Sequence, residues 1–227
     1  MKELSSIQSS ISEISITDES FISVLNNLSS KENLINTLTE ILNDDLLLAI
    51  IASRSYNHSN GFYKIMLFSS EEYKLRLHIW YPSSINSIVE NIHYHRWRFV
   101  SKILIGEYTC FDYEPNSEGV LMYSYYYFPR DGRDTYDLRK AGQERIKLIG
   151  TKVLSNNDFL VSKPKELHRV IPNRQVYTVS LLIQGKDELE YTMVYNENTI
   201  NETVNSPTLP KDELVKVLLD FKSHFSK

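Results

Sequence analysis

Hydrophobic residues recur at helical spacing in the first quarter of the chain. Residues 17–20 have the composition of a helix start, because Thr17 precedes two acidic residues. The apolar positions that follow at spacings of three and four are Phe21, Val24, Leu25 and Leu28. Similar stripes predict a second helix over 31–42 and a third over 46–53. Residues 1–56 are therefore expected to form a helical extension.

From about Gly61 the apolar residues recur at every second position rather than at spacings of three and four, which is typical of β-strands. The strands predicted in this way are 62–68, 73–81, 91–113, 120–128, 144–153, 159–162, 168–171, 177–184 and 191–195. Turn signals separate several of them, among them Pro115 with Asn116, and Asp131 with Gly132. No helical segment lies between the strands, so residues 57–200 are expected to form an antiparallel sandwich or barrel.

The chain ends with a further helical pattern. Residues 201–227 are expected to contain a linker with Pro207 and Pro210, followed by a helix over 212–225. One face of that helix carries the apolar residues Leu214, Val217, Leu218 and Phe221.

Composition and charge narrow the classes of function. A net charge of −4 and a pI near 5.9 argue against a nucleic-acid partner, because phosphate binding needs a basic surface. The longest apolar run, 46–52, is too short to cross a bilayer, so no membrane partner is expected. Cys110 is the single cysteine, which excludes an intrachain disulfide. With no signal peptide visible, a cytoplasmic location is expected.

The main chemical signal is the tripeptide His93-Tyr94-His95 within a predicted strand. Side chains at i and i+2 of a strand point to the same face, so both imidazoles can reach one ion. A third histidine, His168, lies on a later predicted strand that an antiparallel barrel can bring alongside. Three neutral imidazoles would leave open positions on a first-row transition metal.

These residues resemble the cupin superfamily. The spacing around the two histidines matches that of the first cupin motif. His95 is followed by three residues, then by a position that is acidic in many cupins, and then by six more residues and Gly106. Pro164 precedes His168 where the second motif is expected, one residue closer than usual. Phe99 occupies the position of the usual glutamate. The resemblance covers roughly residues 60–197 and implies an antiparallel double-stranded β-helix, also called a jelly-roll barrel.

The missing glutamate affects the chemistry that the resemblance implies. A metal set of His93, His95 and His168 alone is similar to that of the three-histidine iron oxygenases of the cysteine dioxygenase type. The resemblance therefore implies Fe(II) as the expected ion, with Zn, Ni or Mn as alternatives. A small chelating substrate, such as an amino acid, thiol or carboxylate, and dioxygen would be its partners. The sequence argues against the 2-oxoglutarate oxygenases, because no histidine is followed two residues later by Asp or Glu.

The strand predicted over 73–81 contributes two further candidates. Arg76, His78 and Trp80 share one face, and Leu75 with its alternate neighbours shares the other. If the polar face enters the barrel, Arg76 can clamp a substrate carboxylate and His78 can act as a base beside the metal or as a replacement ligand. If the leucines enter, Arg76 lies in solvent. The sequence leaves both orientations open.

Other functions and placements also stay open. A metal-dependent isomerase, lyase or hydrolase would use the same histidines as a Lewis-acid site. A non-enzymatic ligand-binding cupin would retain the fold without catalysis. The N-terminal helices are expected either to cap the barrel or to build a homodimer. His58 and His224 are expected to be surface residues.

Overall fold

The computed structural model describes residues 11, 15–83, 90–130, 133–200 and 207–226. At 129, 130 and 133–136 it describes the main chain only. Within the described residues the chain forms four helices and eleven strands. The helices are α1 (Asp18–Leu28), α2 (Lys31–Asn43), α3 (Asp45–Ala52) and α4 (Lys211–Ser226). The strands are β1 (Tyr56–His58), β2 (Phe62–Ser69), β3 (Lys74–Trp80), β4 (Ile92–His93), β5 (Phe99–Ile105), β6 (Glu107–Arg130), β7 (Arg133–Ser155), β8 (Phe159–Ser162), β9 (Leu167–Pro172), β10 (Thr178–Gln184) and β11 (Thr192–Asn196).

Side-chain caps begin the three N-terminal helices. The Thr17 hydroxyl accepts a hydrogen bond from the Ser20 N–H, and the Ser30 hydroxyl accepts one from the Asn33 N–H. The Asp44 carboxylate accepts from the first N–H groups of α3. These bonds satisfy amide donors that a helix start leaves without partners, so the predicted helices are confirmed. Within the described part of the chain, no helix is both long and apolar enough to cross a membrane.

The strands form two sheets in which every pairing of described strands is antiparallel. The six-stranded sheet has the order β1-β2-β3-β10-β5-β8, and the five-stranded sheet has the order β11-β4-β9-β6-β7. Several neighbours in each sheet come from distant parts of the chain, as in β3 with β10 and β4 with β9. The predicted all-β core of double-stranded β-helix type, flanked by N-terminal helices and a C-terminal helix, is confirmed.

The largest hydrophobic core lies between the six-stranded sheet and the helices. Leu75, Leu77 and Ile79 of β3 pack there with apolar residues from all four helices. Their alternate neighbours on β3 therefore point to the other side of the sheet. This packing answers the orientation question that the sequence left open, because the leucine face is covered by helices rather than by the barrel interior.

Several details of the strand prediction are wrong. β7 begins at Arg133 rather than at 144, and β1 was not predicted. The segment 91–113 is not one strand: β4 ends at His93, β5 begins at Phe99, and Gly106 starts a new direction with φ of +74°. A Cβ at Gly106 would lie 2.4 Å from the Tyr177 carbonyl oxygen, so the site needs glycine for conformation and space. Pro115 and Asn116 do not end a strand either, since β6 continues through them with a shift in its register against β7. The turn predicted at 131–132 lies outside the described residues.

Candidate metal centre and cavity

The fold brings His93, His95 and His168 together. His93 on β4 and His168 on β9 are Cα partners across the antiparallel pair. His95 lies two residues after β4 has ended, so its position depends on the segment leading to β5 rather than on strand pairing. The three potential ligand nitrogens lie within 4.8 Å of one another.

The distance between two of the rings fits a shared ion. His93 Nε2 and His95 Nε2 are 3.2 Å apart. Two nitrogens that each lie about 2.1 Å from one metal, at angles between octahedral and tetrahedral, are separated by roughly 3.0–3.4 Å. The same separation also suits a single N–H···N hydrogen bond when no ion is bound.

Backbone carbonyls orient two of the three rings. His93 Nδ1 lies 2.9 Å from the Asn91 carbonyl oxygen, and His168 Nδ1 lies 3.1 Å from that of Glu166. A carbonyl oxygen only accepts, so each Nδ1 carries the proton and each Nε2 presents a lone pair. Outer hydrogen bonds of this kind are typical of histidines that bind metals through Nε2.

The surroundings hold two of the three rings, His95 and His168, in the neutral form that binds a metal. Burial, followed by the neighbouring His93, lowers the pKa of His168 from 6.5 to about 3. Burial is also the main cause that lowers the pKa of His95 well below its usual value, with His93 and His168 adding to the effect. Both imidazoles are therefore unprotonated at neutral pH and need not lose a proton before binding a cation.

The three histidines lie on the wall of a cavity of about 200 Å³ between the two sheets. Trp97, Phe99 and Ser101 line it with them. His95 stacks on Trp97 at 5.1 Å between ring centroids, and Phe99 meets the edges of both His95 and His168. Other aromatic lining residues are Tyr56, Phe62, Trp80, Tyr108 and Tyr127. Phe99, at the position where the resemblance expects a glutamate, thus contributes an apolar wall beside the histidines.

The polar face of β3 enters the cavity. Arg76, His78 and Trp80 all line it, opposite the leucines that pack under the helices. Burial lowers the pKa of His78 well below 6.5, and the Arg76 and Lys64 charges lower it further, so this imidazole is neutral. Sequence reasoning placed these residues here as one of two alternatives, and their roles in catalysis remain a prediction.

Sequence reasoning did not identify Lys64 of β2 as a cavity residue. Its side chain is buried, lines the cavity and donates a 2.6 Å hydrogen bond to the Tyr56 hydroxyl. Lys64 pairs with His78 across β2 and β3. A lysine within the otherwise apolar strand 62–68 was the signal that could have found it.

The expectation that His58 lies on the surface is wrong. His58 belongs to β1, lines the cavity and stacks on Phe62 with ring centroids 4.6 Å apart. Burial, then the Lys64 charge, lowers its pKa to about 3. The three-residue strand β1 was too short to give a periodic signal. His224 agrees better with its prediction, because it is partly exposed on α4, where it stacks on Tyr177.

Glu90 is a second lining residue that sequence reasoning missed. One of its carboxylate oxygens accepts from the Asn60 side-chain amide at 2.8 Å, and the other accepts from the Val170 N–H at 2.6 Å. Both oxygens therefore connect parts of the cavity wall that are distant in sequence. Glu90 lies outside the strands, where no alternating pattern marks it.

Comparison with known proteins gives distant structural similarities only. No family model and no curated protein match the chain. An RmlC-like cupin from Shewanella frigidimarina is 15% identical, with 58% of this chain and 81% of that chain covered and a TM-score of 0.35. A double-stranded β-helix protein from Klebsiella pneumoniae is 10% identical, covering 64% and 94%, with a TM-score of 0.36. A hydroquinone 1,2-dioxygenase from Sphingomonas with 4-hydroxybenzoate bound is 10% identical, covering 56% and 66%, with a TM-score of 0.34. At these values no activity transfers to this chain.

Proposed function

We propose that the chain is a mononuclear non-haem Fe(II) oxygenase that acts on a small chelating substrate, with His93, His95 and His168 holding the ion. One observation carries the proposal. Two imidazoles whose Nδ1 protons are given to backbone carbonyls present unprotonated Nε2 atoms beside a third histidine, at the wall of a cavity. Lone pairs that converge in this way are stabilised by a cation.

The donor set fits iron(II). Imidazole nitrogen is a suitable ligand for iron, zinc, copper and nickel, whereas magnesium and calcium prefer oxygen. The three ligands are neutral, so an ion in this site would keep its full +2 charge and attract an anionic chelating group. Bound iron(II) would supply open coordination positions for substrate and dioxygen together with the electrons that oxygen chemistry requires.

The protein's own residues would position the substrate and limit the access of water. Trp97 and Phe99 form an apolar wall directly against the histidine rings. Arg76 lies on the opposite sheet and offers a fork of N–H donors to a substrate carboxylate. His78 is neutral and its Nε2 has no hydrogen-bond partner among the described residues, so the ring would form a hydrogen bond with a polar group of the substrate.

A Lewis-acid enzyme is the second candidate. The 3.2 Å separation of His93 Nε2 and His95 Nε2 also fits tetrahedral zinc, and three histidines with one open position form a familiar catalytic zinc set. A zinc, nickel or manganese isomerase, lyase or hydrolase would therefore use the same ligands. A scaffold protein whose bulky side chains fill the barrel is disfavoured, because the cavity of about 200 Å³ leaves room for a small molecule.

Oxygen uptake distinguishes these functions. The protein is loaded with iron(II) under anaerobic conditions and mixed with small amino acids, thiols and hydroxy acids in an oxygen electrode. We expect substrate-dependent oxygen consumption that is lost in His93→Ala. Turnover that proceeds equally without oxygen would support the Lewis-acid candidate, and no turnover with any metal would contradict both.

A further inference from the structure

The helix α3 is apolar on its outer side as well as on its inner side. After Asp45, its seven remaining residues are all leucine, isoleucine or alanine. The inner side is buried in the largest core through Leu48, Ile51 and Ala52. The exposed apolar residues of the outer side are Leu46, Ala49 and Ile50. A helix at the surface of a protein usually has a polar outer face, and a helix that is apolar all round is usually buried.

The two preceding helices follow the usual pattern. The exposed residues of α1 are Glu19, Ser23, Asn26 and Asn27, and those of α2 are Lys31, Glu32, Asn36 and Asn43. All of these are polar. On α3, by contrast, Leu46 is 72% exposed and Ile50 is 40% exposed, so the described part of the chain leaves this face open. Apolar residues grouped on one surface are more typical of a site that contacts another molecule than scattered single residues are.

The exposed residues of α3 form one stripe along its axis. Leu46, Ile50 and Arg54 follow one another at spacings of four, and Ala49 and Ser53 lie beside them at spacings of three. Ser53 still has helical φ and ψ, so Arg54 continues the turn. The stripe is therefore a regular helical surface and not a chance grouping of loop residues.

Both ends of α3 are fixed to the rest of the fold. The Asp44 carboxylate accepts hydrogen bonds from the first N–H groups of the helix. Just after the helix, the Ser55 hydroxyl accepts from the Met66 N–H of β2 at 2.9 Å and donates to the Ile51 carbonyl at 2.7 Å. A surface held in this way loses little conformational freedom when it binds a partner.

Opposite charges lie at the two ends of the stripe. The Asp45 side chain is 89% exposed, and one of its oxygens lies 3.0 Å from Lys211 Nζ. Asp44 lies at the same end, so the acidic groups there outnumber the lysine. At the other end Arg54 is exposed and forms no ion pair with the described residues. Asp45 and Arg54 are about 13–14 Å apart along the helix axis.

This charge pattern selects one orientation for a second copy of α3. A parallel copy would place Asp45 beside Asp45 and Arg54 beside Arg54. An antiparallel copy, related by a two-fold axis between Ala49 and Ile50, places Asp45 opposite Arg54 at both ends. In the same register Leu46 lies opposite Ser53, and the small Ala49 side chain leaves room for Ile50.

We infer that the outer face of α3 is a homodimer interface, in which two copies of the helix pack antiparallel and Asp45 of each chain faces Arg54 of the partner subunit. The helix is only about 12 Å long, so the contact is smaller than a standard interface of about 800 Å² per subunit. We therefore expect a reversible dimer with a dissociation constant of roughly micromolar size. The interface is separated from the cavity by the six-stranded sheet, so the inference does not depend on the proposed function.

Sedimentation velocity of the full chain tests the interface, at concentrations from about 1 to 200 μM. Wild type should shift from monomer to dimer over this range. Leu46→Gln and Ile50→Gln should each raise the dissociation constant by about 10-fold or more, because a two-fold axis repeats every change. Val153→Gln is the matched control: Val153 is 64% exposed, but it lies on β7 of the other sheet. This variant should dimerise like wild type.

Charge reversal tests the orientation. Arg54→Asp or Asp45→Arg alone places like charges at both ends of the interface and should weaken the dimer by about 10-fold or more. An equimolar mixture of these two variants restores an opposite pair at each end. It should therefore form a heterodimer with close to wild-type affinity. Circular dichroism of each variant checks that the chain is folded.

Four results would overturn the inference. They are a wild type that stays monomeric at every concentration, a dimer that is unaffected by both Leu46→Gln and Ile50→Gln, a dimer that is lost in Val153→Gln but kept in Ile50→Gln, and a mixture of the charge-reversed variants that associates no better than each alone.

Discussion

His93 and His168 are Cα partners across the β4–β9 pair, so the two histidines are held by backbone register and not only by their side chains. β4 has just two residues, and its other neighbour, β11, pairs Val194 with His93. A strand held on both sides in this way fixes one ring of the proposed centre. The remaining freedom lies with His95, which follows the end of the strand.

The two faces of β3 should respond differently to mutation. Leu77→Ala removes a fully buried side chain beneath the helices and should lower the free energy of unfolding by about 2–5 kcal/mol. Substrate-dependent oxygen uptake per folded molecule should stay near the wild-type value. Arg76→Met leaves this core in place and should lower oxygen uptake by a larger factor than Leu77→Ala does, because Arg76 lines the cavity.

Denaturant unfolding and oxygen-uptake measurements on the same two variants check this prediction. If Leu77→Ala and Arg76→Met lost stability and oxygen uptake to the same extent, the separation of a core face from a cavity face would be wrong.

Gly106 should not tolerate a side chain. Gly106→Ala needs φ of +74° and places a Cβ 2.4 Å from the Tyr177 carbonyl oxygen. Strain of this kind costs about 1–3 kcal/mol before the clash is counted, so the loss in unfolding free energy should exceed about 2 kcal/mol. Gly185→Ala is the control, because its nearest neighbour would be at 3.5 Å, an ordinary contact. Equal melting temperatures for the two variants would contradict the requirement at Gly106.

Acid should destabilise the protein partly through His58. Its pKa is about 3 in the folded state against 6.5 in the unfolded chain, so below pH 6.5 the unfolded state binds more protons. Stability from this group is therefore complete above pH 6.5 and is lost as the pH falls towards 3. Between pH 7 and pH 5 the loss should be about 1–2 kcal/mol.

Chemical unfolding of metal-free protein at several pH values tests the His58 contribution. His58→Gln should show a shallower fall in unfolding free energy between pH 7 and pH 5 than wild type. His224→Gln, a change on the outer helix α4, should follow the wild-type slope. A His58→Gln slope equal to that of wild type would show that His58 is accessible to protons in the folded state.

Sequence patterns predicted the layers of this fold better than its cavity. The alternation of apolar and polar residues identified β2 and β3. The i, i+2 spacing of His93 and His95 also predicted that both face the same cavity, although β4 ends at His93. The face of β3 that enters the cavity could not be chosen, because it depends on where the helices pack, and both faces are buried. Three lining residues were missed. His58 lies in a strand of three residues and Glu90 lies outside the strands, so no period marks either of them. Lys64 lies in β2, where apolar residues on both faces conceal which face enters the cavity.

The metal content of the purified protein tests the central claim most directly. Wild type, His93→Ala, His168→Ala and the control His224→Gln are purified without chelators or a histidine tag and analysed by inductively coupled plasma mass spectrometry. The account predicts close to one iron per chain in wild type and in His224→Gln, and background levels in the other two variants. Iron that persists in both His93→Ala and His168→Ala, or no metal in wild type after loading with iron(II), would contradict it.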